Sequence, residues 1–402
     1  MKVSFPHLGN LWIPLKAFFS GIGIEVVAPP PTTRKTVAIG AQLAPETACL
    51  PLKVTIGNMI EAINSGADTF LMVGGIGPCR LGYYCELQRD ILSDLGDDVD
   101  LVVIEPPRGH FRNTVRFARL LTSRAGVRDV VEAGKLAWEK CIGIDVCEQL
   151  ANAARWSEAE RGAVDRAVRK GLAELDRAST IRDVQAVIAN TVEHVRSCAV
   201  VGPICQLDSC ARSLVTDRYG ALLRSEEGDI SPLSVGVVGE IYVVMEPAVN
   251  MNLCKKLGTI GAQVMQPITF SGWIMTHVVL DIVKFMPKPD MLAWATPYLG
   301  HFVGGHGVES VGHSVQMARS GFDGVVHISP LTCMPEIVAQ SILPRVSEEE
   351  GMPIMSLTID EHTADAGLDT RLEAFCDLLA ERSGKRLDGI SGAGRWKDMQ
   401  VL

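Results

Sequence analysis

Ser320-Gly321-Phe322-Asp323-Gly324-Val325-Val326-His327-Ile328-Ser329-Pro330-Leu331-Thr332-Cys333 reads as a helix stop, a buried strand and a turn that delivers a cysteine. Residues 324–330 form a short, mostly apolar run between turn signals, the pattern of a strand covered on both faces. Met334-Pro335-Glu336 then opens a helix, where proline suits the first turn because its missing N–H is no loss. Ser65-Gly66-Ala67-Asp68-Thr69-Phe70-Leu71-Met72-Val73-Gly74-Gly75-Ile76-Gly77-Pro78-Cys79 repeats the plan element for element. Ala48-Cys49-Leu50-Pro51-Leu52-Lys53 is a third echo, with cysteine, apolar residue and proline ahead of a helical stretch.

Working outward, strands are expected at Lys2–Phe5, Ile24–Val27, Thr69–Val73 and Leu101–Ile104, with helices near Trp12–Gly21, after Cys49 and over Leu81–Leu95. A second series follows from Val235, with Gln263–Met265, the strand before Cys333, Pro353–Ile359 and a closing helix over Thr370–Arg382. Strands alternating with helices predict mostly parallel sheets covered on both faces. The fold class is therefore α/β, with two Rossmann-like (flavodoxin-like) parallel-sheet domains and a helical segment between them. The expected division is 1–112 (Cys49 and Cys79), 113–230 (mostly helical), 231–382 (Cys333) and a flexible tail over 383–402.

The chain has 402 residues, 47% of them hydrophobic, and a formal charge of -9, which disfavours nucleic acid or an anionic membrane surface as the main partner. Pro14 and Lys16 interrupt the first apolar run, so neither a signal peptide nor a membrane span is expected. A cytoplasmic protein follows, in which 11 cysteines are reduced, buried or metal-bound rather than paired.

Cys49, Cys79 and Cys333 stand where open α/β sheets bind ligands, beyond the carboxyl ends of the strands. A thiol at a helix N-terminus is expected to have a lowered pKa and to act as a thiolate ligand or nucleophile. Three such thiols suit an iron–sulfur cluster with one iron left for another ligand; the alternative is three small buried hydrophobes. Cys85, Cys205 and Cys210 are candidate additional ligands. The loop Gly304-Gly305-His306-Gly307-Val308-Glu309 opens a helix, and its His306 and Glu309 are candidates for proton handling. Glu46, Glu240 and Glu336 are second candidates. Gly74-Gly75-Ile76-Gly77 lacks the ending of a nucleotide-binding loop, and the glycines are better read as a tight turn.

Gly9-Asn10-Leu11-Trp12-Ile13-Pro14-Leu15-Lys16, Glu46-Thr47-Ala48-Cys49-Leu50-Pro51-Leu52-Lys53, Gly74-Gly75-Ile76-Gly77-Pro78-Cys79-Arg80-Leu81-Gly82-Tyr83-Tyr84 and Pro330-Leu331-Thr332-Cys333-Met334-Pro335-Glu336 together resemble a known group. They look like the proteins labelled CoA protein activase, within the superfamily of 2-hydroxyacyl-CoA dehydratases, benzoyl-CoA reductases and double-cubane cluster proteins. The resemblance implies a [4Fe-4S] cluster held by Cys49, Cys79 and Cys333, or a larger double-cubane-type cluster that also uses Cys85, Cys205 and Cys210. It also implies a separate ATPase activator of the actin-like fold and assembly as a homodimer or as a heterodimer with a related subunit. The chain lacks the phosphate loops of such an ATPase, so the expected role is the electron acceptor, a reductase or dehydratase component of anaerobic metabolism. The alternatives are a non-catalytic electron-transfer or scaffold subunit, or a cluster-free protein whose cysteines bind zinc, with His306 or His327 as fourth ligand, or pack in the core.

Overall fold

The computed structural model describes residues 1–74, 79–97, 99–104, 111–199, 232–279 and 291–385. Cys205, Cys210 and the tail from 386 onward lie outside the described residues. The first sheet holds β1 (Lys2–Ser4), β2 (Glu25–Val26), β3 (Thr69–Val73) and β4 (Asp100–Ile104) in the order β2-β1-β3-β4. The second holds β5 (Leu233–Gly239), β6 (Ala262–Met265), β7 (Gly324–Pro330) and β8 (Ile354–Ile359) in the order β6-β5-β7-β8. Every pairing is parallel, and the two orders are the same. All seven residues of β5 and of β7 are buried, as central strands with both faces covered must be.

The helices of the first part are α1 (Trp12–Gly21), α2 (Arg34–Leu43), α3 (Leu50–Asn64) and α4 (Leu81–Asp94). Then come α5 (Phe111–Thr122), α6 (Val127–Ala154), α7 (Ala163–Arg177) and α8 (Ile181–Cys198). The second part adds α9 (Ile241–Met245), α10 (Leu253–Ile260), α11 (Phe270–Ile274) with a π-helical turn at Met275–Val279, α12 (Met291–Ala295), α13 (Gly307–Arg319), α14 (Met334–Glu349) and α15 (Asp365–Ser383).

Helix α2 was not expected, and its own start signal explains it. Thr33 accepts from the Thr36 backbone while Thr36 accepts from the Thr33 backbone, a reciprocal cap that starts a helix soon after the three prolines. The helix then lies very close against α3. A Cβ on Gly40 would stand 1.6 Å from the Lys53 carbonyl oxygen, and one on Gly57 would stand 2.0 Å from that of Thr36. Helix α7 begins at Ala163, where the Glu158 carboxylate accepts from the backbone of Gly162 and Val164 and so marks the start.

The α6 helix joins the two sheets. From Glu139 to Ala154 nearly all its residues are buried, so it is apolar on more than one face and shows no single stripe. One continuous hydrophobic group takes in Ile13 and Leu50 from the first part, Ile142, Ile144 and Leu150 from α6, and Val235, Val237 and Ile328 from the second sheet. Polar contacts cross the same junction. Asp145 accepts from the Phe270 and Ser271 backbone at 3.0 and 2.8 Å, and Glu246 accepts from His7 Nδ1 and the Gly9 backbone at 2.8 and 2.7 Å. Among the described residues no helix is long and apolar enough to cross a membrane.

Candidate metal centre

Cys49 is the N-cap residue of α3 and Cys333 that of α14, both extended in backbone and both followed by a proline in the first turn. Cys79 stands two residues before α4 and follows β3 through residues 75–78, which lie outside the described residues. Cys49 does not follow a strand as expected, because α2 intervenes between β2 and its turn. The chain nevertheless returns there to the other two turns. Arg80 donates from Nη1 to the Thr47 carbonyl at 3.0 Å and from Nη2 to the Thr332 carbonyl, and Thr332 Oγ1 donates to the Thr47 carbonyl at 3.2 Å. One guanidinium thus ties the turn ahead of Cys49 to the turn ahead of Cys333.

Thr332 pays for this arrangement in backbone strain, with φ at 65°, where a β-branched residue is rare; such a conformation costs about 1–3 kcal/mol. Gly305 faces Cys79 from the second half. A Cβ there would stand 3.9 Å from Cys79 Sγ and 3.0 Å from Pro335 Cγ, and its φ of +45° is one that glycine adopts freely.

The three thiols do not show the lowered pKa expected of helix N-termini. Burial pushes all three up, and the Glu240 carboxyl adds to this at each. Opposing pulls are present but smaller: the Tyr84 hydroxyl and Arg80 at Cys49, the Leu81 N–H and Arg80 at Cys79, and the Glu336 N–H at Cys333. Desolvation of the charged form outweighs the helix-end field, so these thiols are protonated unless a cation arrives to replace the lost hydration. Glu240, at the end of β5, is itself pushed up to about 7 by burial, although it accepts from the Val243 backbone at 3.0 Å.

Tyr84 is buried with its hydroxyl hydrogen-bonded to Cys49 Sγ, and burial pushes its pKa upward. A cavity of about 150 Å3 opens beside Cys49, lined by Leu52, Arg80, Tyr83, Tyr84 and Leu87. Cys85 is buried in the hydrophobic group of the first sheet with Leu52, Ile56 and Tyr84. Cys141, Cys147 and Cys376 are buried in the large core.

The second half brings a polar network to the Cys333 turn. Glu336, fully buried, accepts from Ser310 Oγ at 2.9 Å and pairs with His327 Nε2 at 2.9 Å. His306 is buried as the N-cap residue of α13, and Glu309 in its first turn pairs with His277 Nε2 at 3.3 Å. His277 stood in no motif, and Arg80 and Tyr84 stood in the Gly74–Tyr84 stretch without an assigned role. Glu46 is exposed, and its carbonyl accepts from Lys53 Nζ at 3.2 Å. Among the described residues no three His, Cys, Asp or Glu side chains converge as ligands of a single metal ion.

In an iron–sulfur cluster each cysteine binds its own iron, so the thiol ligands of a cluster need not meet at one point.

Residues 9–72 match the family described as CoA enzyme activase uncharacterised domain (DUF2229). The activase-type segment runs from the turn before α1 into β3 and includes Cys49, whereas Cys79 and Cys333 lie beyond it. No curated protein matches the chain.

Proposed function

We propose that this chain is an iron–sulfur protein that accepts electrons from a separate ATP-hydrolysing activator, with Cys49, Cys79 and Cys333 as ligands of a [4Fe-4S] or larger double-cubane-type cluster. The observation that carries this reading is the Arg80 and Thr332 tie, which holds cysteine turns from two different sheets against each other. A cluster with three cysteine ligands can store an electron and offers one iron to a non-protein ligand. The protein's part is to bury the thiols, shield them from water and set carboxyls near them. Glu240 lies close enough to raise all three thiols, and Glu336 closes the Cys333 turn. The site belongs in a reducing cytoplasm, where thiols remain unpaired.

Two roles fit such a site: a reductase or 2-hydroxyacyl-CoA dehydratase-like component that acts on substrate, and an electron carrier for a sister subunit.

Anaerobic purification with iron and sulfide analysis and electron paramagnetic resonance is the test. Native protein is expected to be brown, with a reducible cluster that Cys333→Ala loses while remaining folded by circular dichroism. A colourless, iron-free native protein that is well folded overturns the proposal. Spectral change of the reduced protein with acyl-CoA compounds separates the enzyme role from the carrier role.

A further inference from the structure

Buried polar atoms without a hydrogen-bond partner among the described residues gather at the start of α13. They include Trp273 Nε1, His306 Nε2, Glu309 Oε2, His313 Nδ1 and Glu336 Oε1. Such atoms are costly to leave bare, and a concentration of them marks a place where ordered water completes the bonding. They do not form a single-ion site, since no three ligating side chains converge there among the described residues.

The same side chains grade from solvent inward. His277 and Glu309 are 32% and 24% exposed at their side chains, whereas His306 is 8% exposed. The His277 ring stacks on Trp273 with centroids 5.4 Å apart, which fixes its direction, and its Nε2 stands 3.3 Å from Glu309 Oε1. The His277 and His306 ring centroids are 5.7 Å apart. His306 directly follows Gly305, the residue against which Cys79 Sγ lies.

We propose that His277, Glu309 and His306, joined by ordered water, form a proton relay from solvent to the redox site at the cysteine turns. This rests on the reading of that site as an electron acceptor. For each electron received from an external reductant, one proton passes from water through His277 and Glu309 to the ring of His306, which holds it as the countercharge, and only N–H and O–H bonds are made and broken along the path.

The surrounding charges suit the task. His306 faces Glu309 and His313 on the helix it caps, His277 on the π-helical turn and Glu336 on α14. Burial lowers its pKa, so the ring rests neutral and takes up a proton only when negative charge arrives at the cysteine turns. Burial opposes ionisation of Glu309, but the His277 hydrogen bond and the two histidine charges outweigh it and hold the carboxyl below its ordinary range. His313, pushed down to about 4 by burial, stays neutral beside the path.

The test is stopped-flow reduction of the anaerobic full chain by titanium(III) citrate, followed optically, with the midpoint potential measured alongside. His277→Gln and Glu309→Gln are expected to slow reduction by about tenfold or more at an unchanged potential. Added imidazole should restore the rate of His277→Gln, because that side chain reaches solvent, and Glu309→Asp should restore part of the Glu309→Gln loss. Wild-type rates in both variants overturn the relay, as does a slowed His277→Gln that imidazole leaves slow. Iron-free native protein is visible before any kinetics and overturns the electron-acceptor reading, and the relay with it.

Discussion

Arg80 makes one connection that no local pattern in the chain announces. Its guanidinium binds carbonyls of Thr47 and Thr332, which are far apart in sequence, and a planar fork can serve both where an ammonium cannot. Arg80→Lys is therefore expected to lower iron content per chain while the far-ultraviolet dichroism stays native. Tyr84→Phe acts on a single thiol. The Tyr84 bond lowers the Cys49 pKa against the larger effect of burial, so its removal raises that pKa and slows alkylation of Cys49 at fixed pH in iron-free protein. An unchanged iodoacetamide rate at Cys49 would show that the hydroxyl does not reach the sulfur in solution. The cysteines themselves were legible, because each sits in a turn with a proline-opened or helix-opening sequence. Their partners were not, since Arg80, Tyr84 and His277 gain meaning only from neighbours brought by the tertiary fold. The helix-end field was legible too, but burial, which depends on what covers the turn, decides the sign of the thiol shift.

At the scale of elements, the strand-and-helix alternation in the sequence is what the two sheets show, with β3 over Thr69–Val73 and α1 over Trp12–Gly21 as expected. Helix α2 was hidden by three prolines before it and a glycine within it, both of which usually mark loops. That glycine has a packing role. Gly40 and Gly57 let α2 and α3 touch backbone to backbone, and a methyl group at either would meet a carbonyl oxygen rather than a movable side chain. Gly57→Ala is expected to destabilise the protein by about 3 kcal/mol or more, at the upper end of overpacking costs, read as a lowered midpoint in urea. Because α3 carries Cys49 at its start, the same variant should also lose iron.

The whole molecule shares one core through α6, and that junction holds carboxyls in an apolar setting. Burial pushes Asp145 up to about 6 and Glu148 up to about 7, the latter despite the Asn10 amide that donates to it. An unfolded chain releases those protons near pH 4, so their contribution to stability is full below that pH and is lost as pH rises toward 7. Glu148→Gln keeps an acceptor for Asn10 and removes one titration, and is expected to flatten the fall in Tm between pH 5 and pH 8 in scanning calorimetry. The shared core could not be read from a helical segment that shows neither a single apolar stripe nor a strand period. Its consequence reaches back to the time of synthesis. The first sheet is complete at Ile104, with Cys49 and Cys79 already made, whereas Cys333 leaves the ribosome much later, after β7. A site that used all three thiols would be complete only once Cys333 has emerged and the second sheet has packed against α6, so cluster loading would report a folded core.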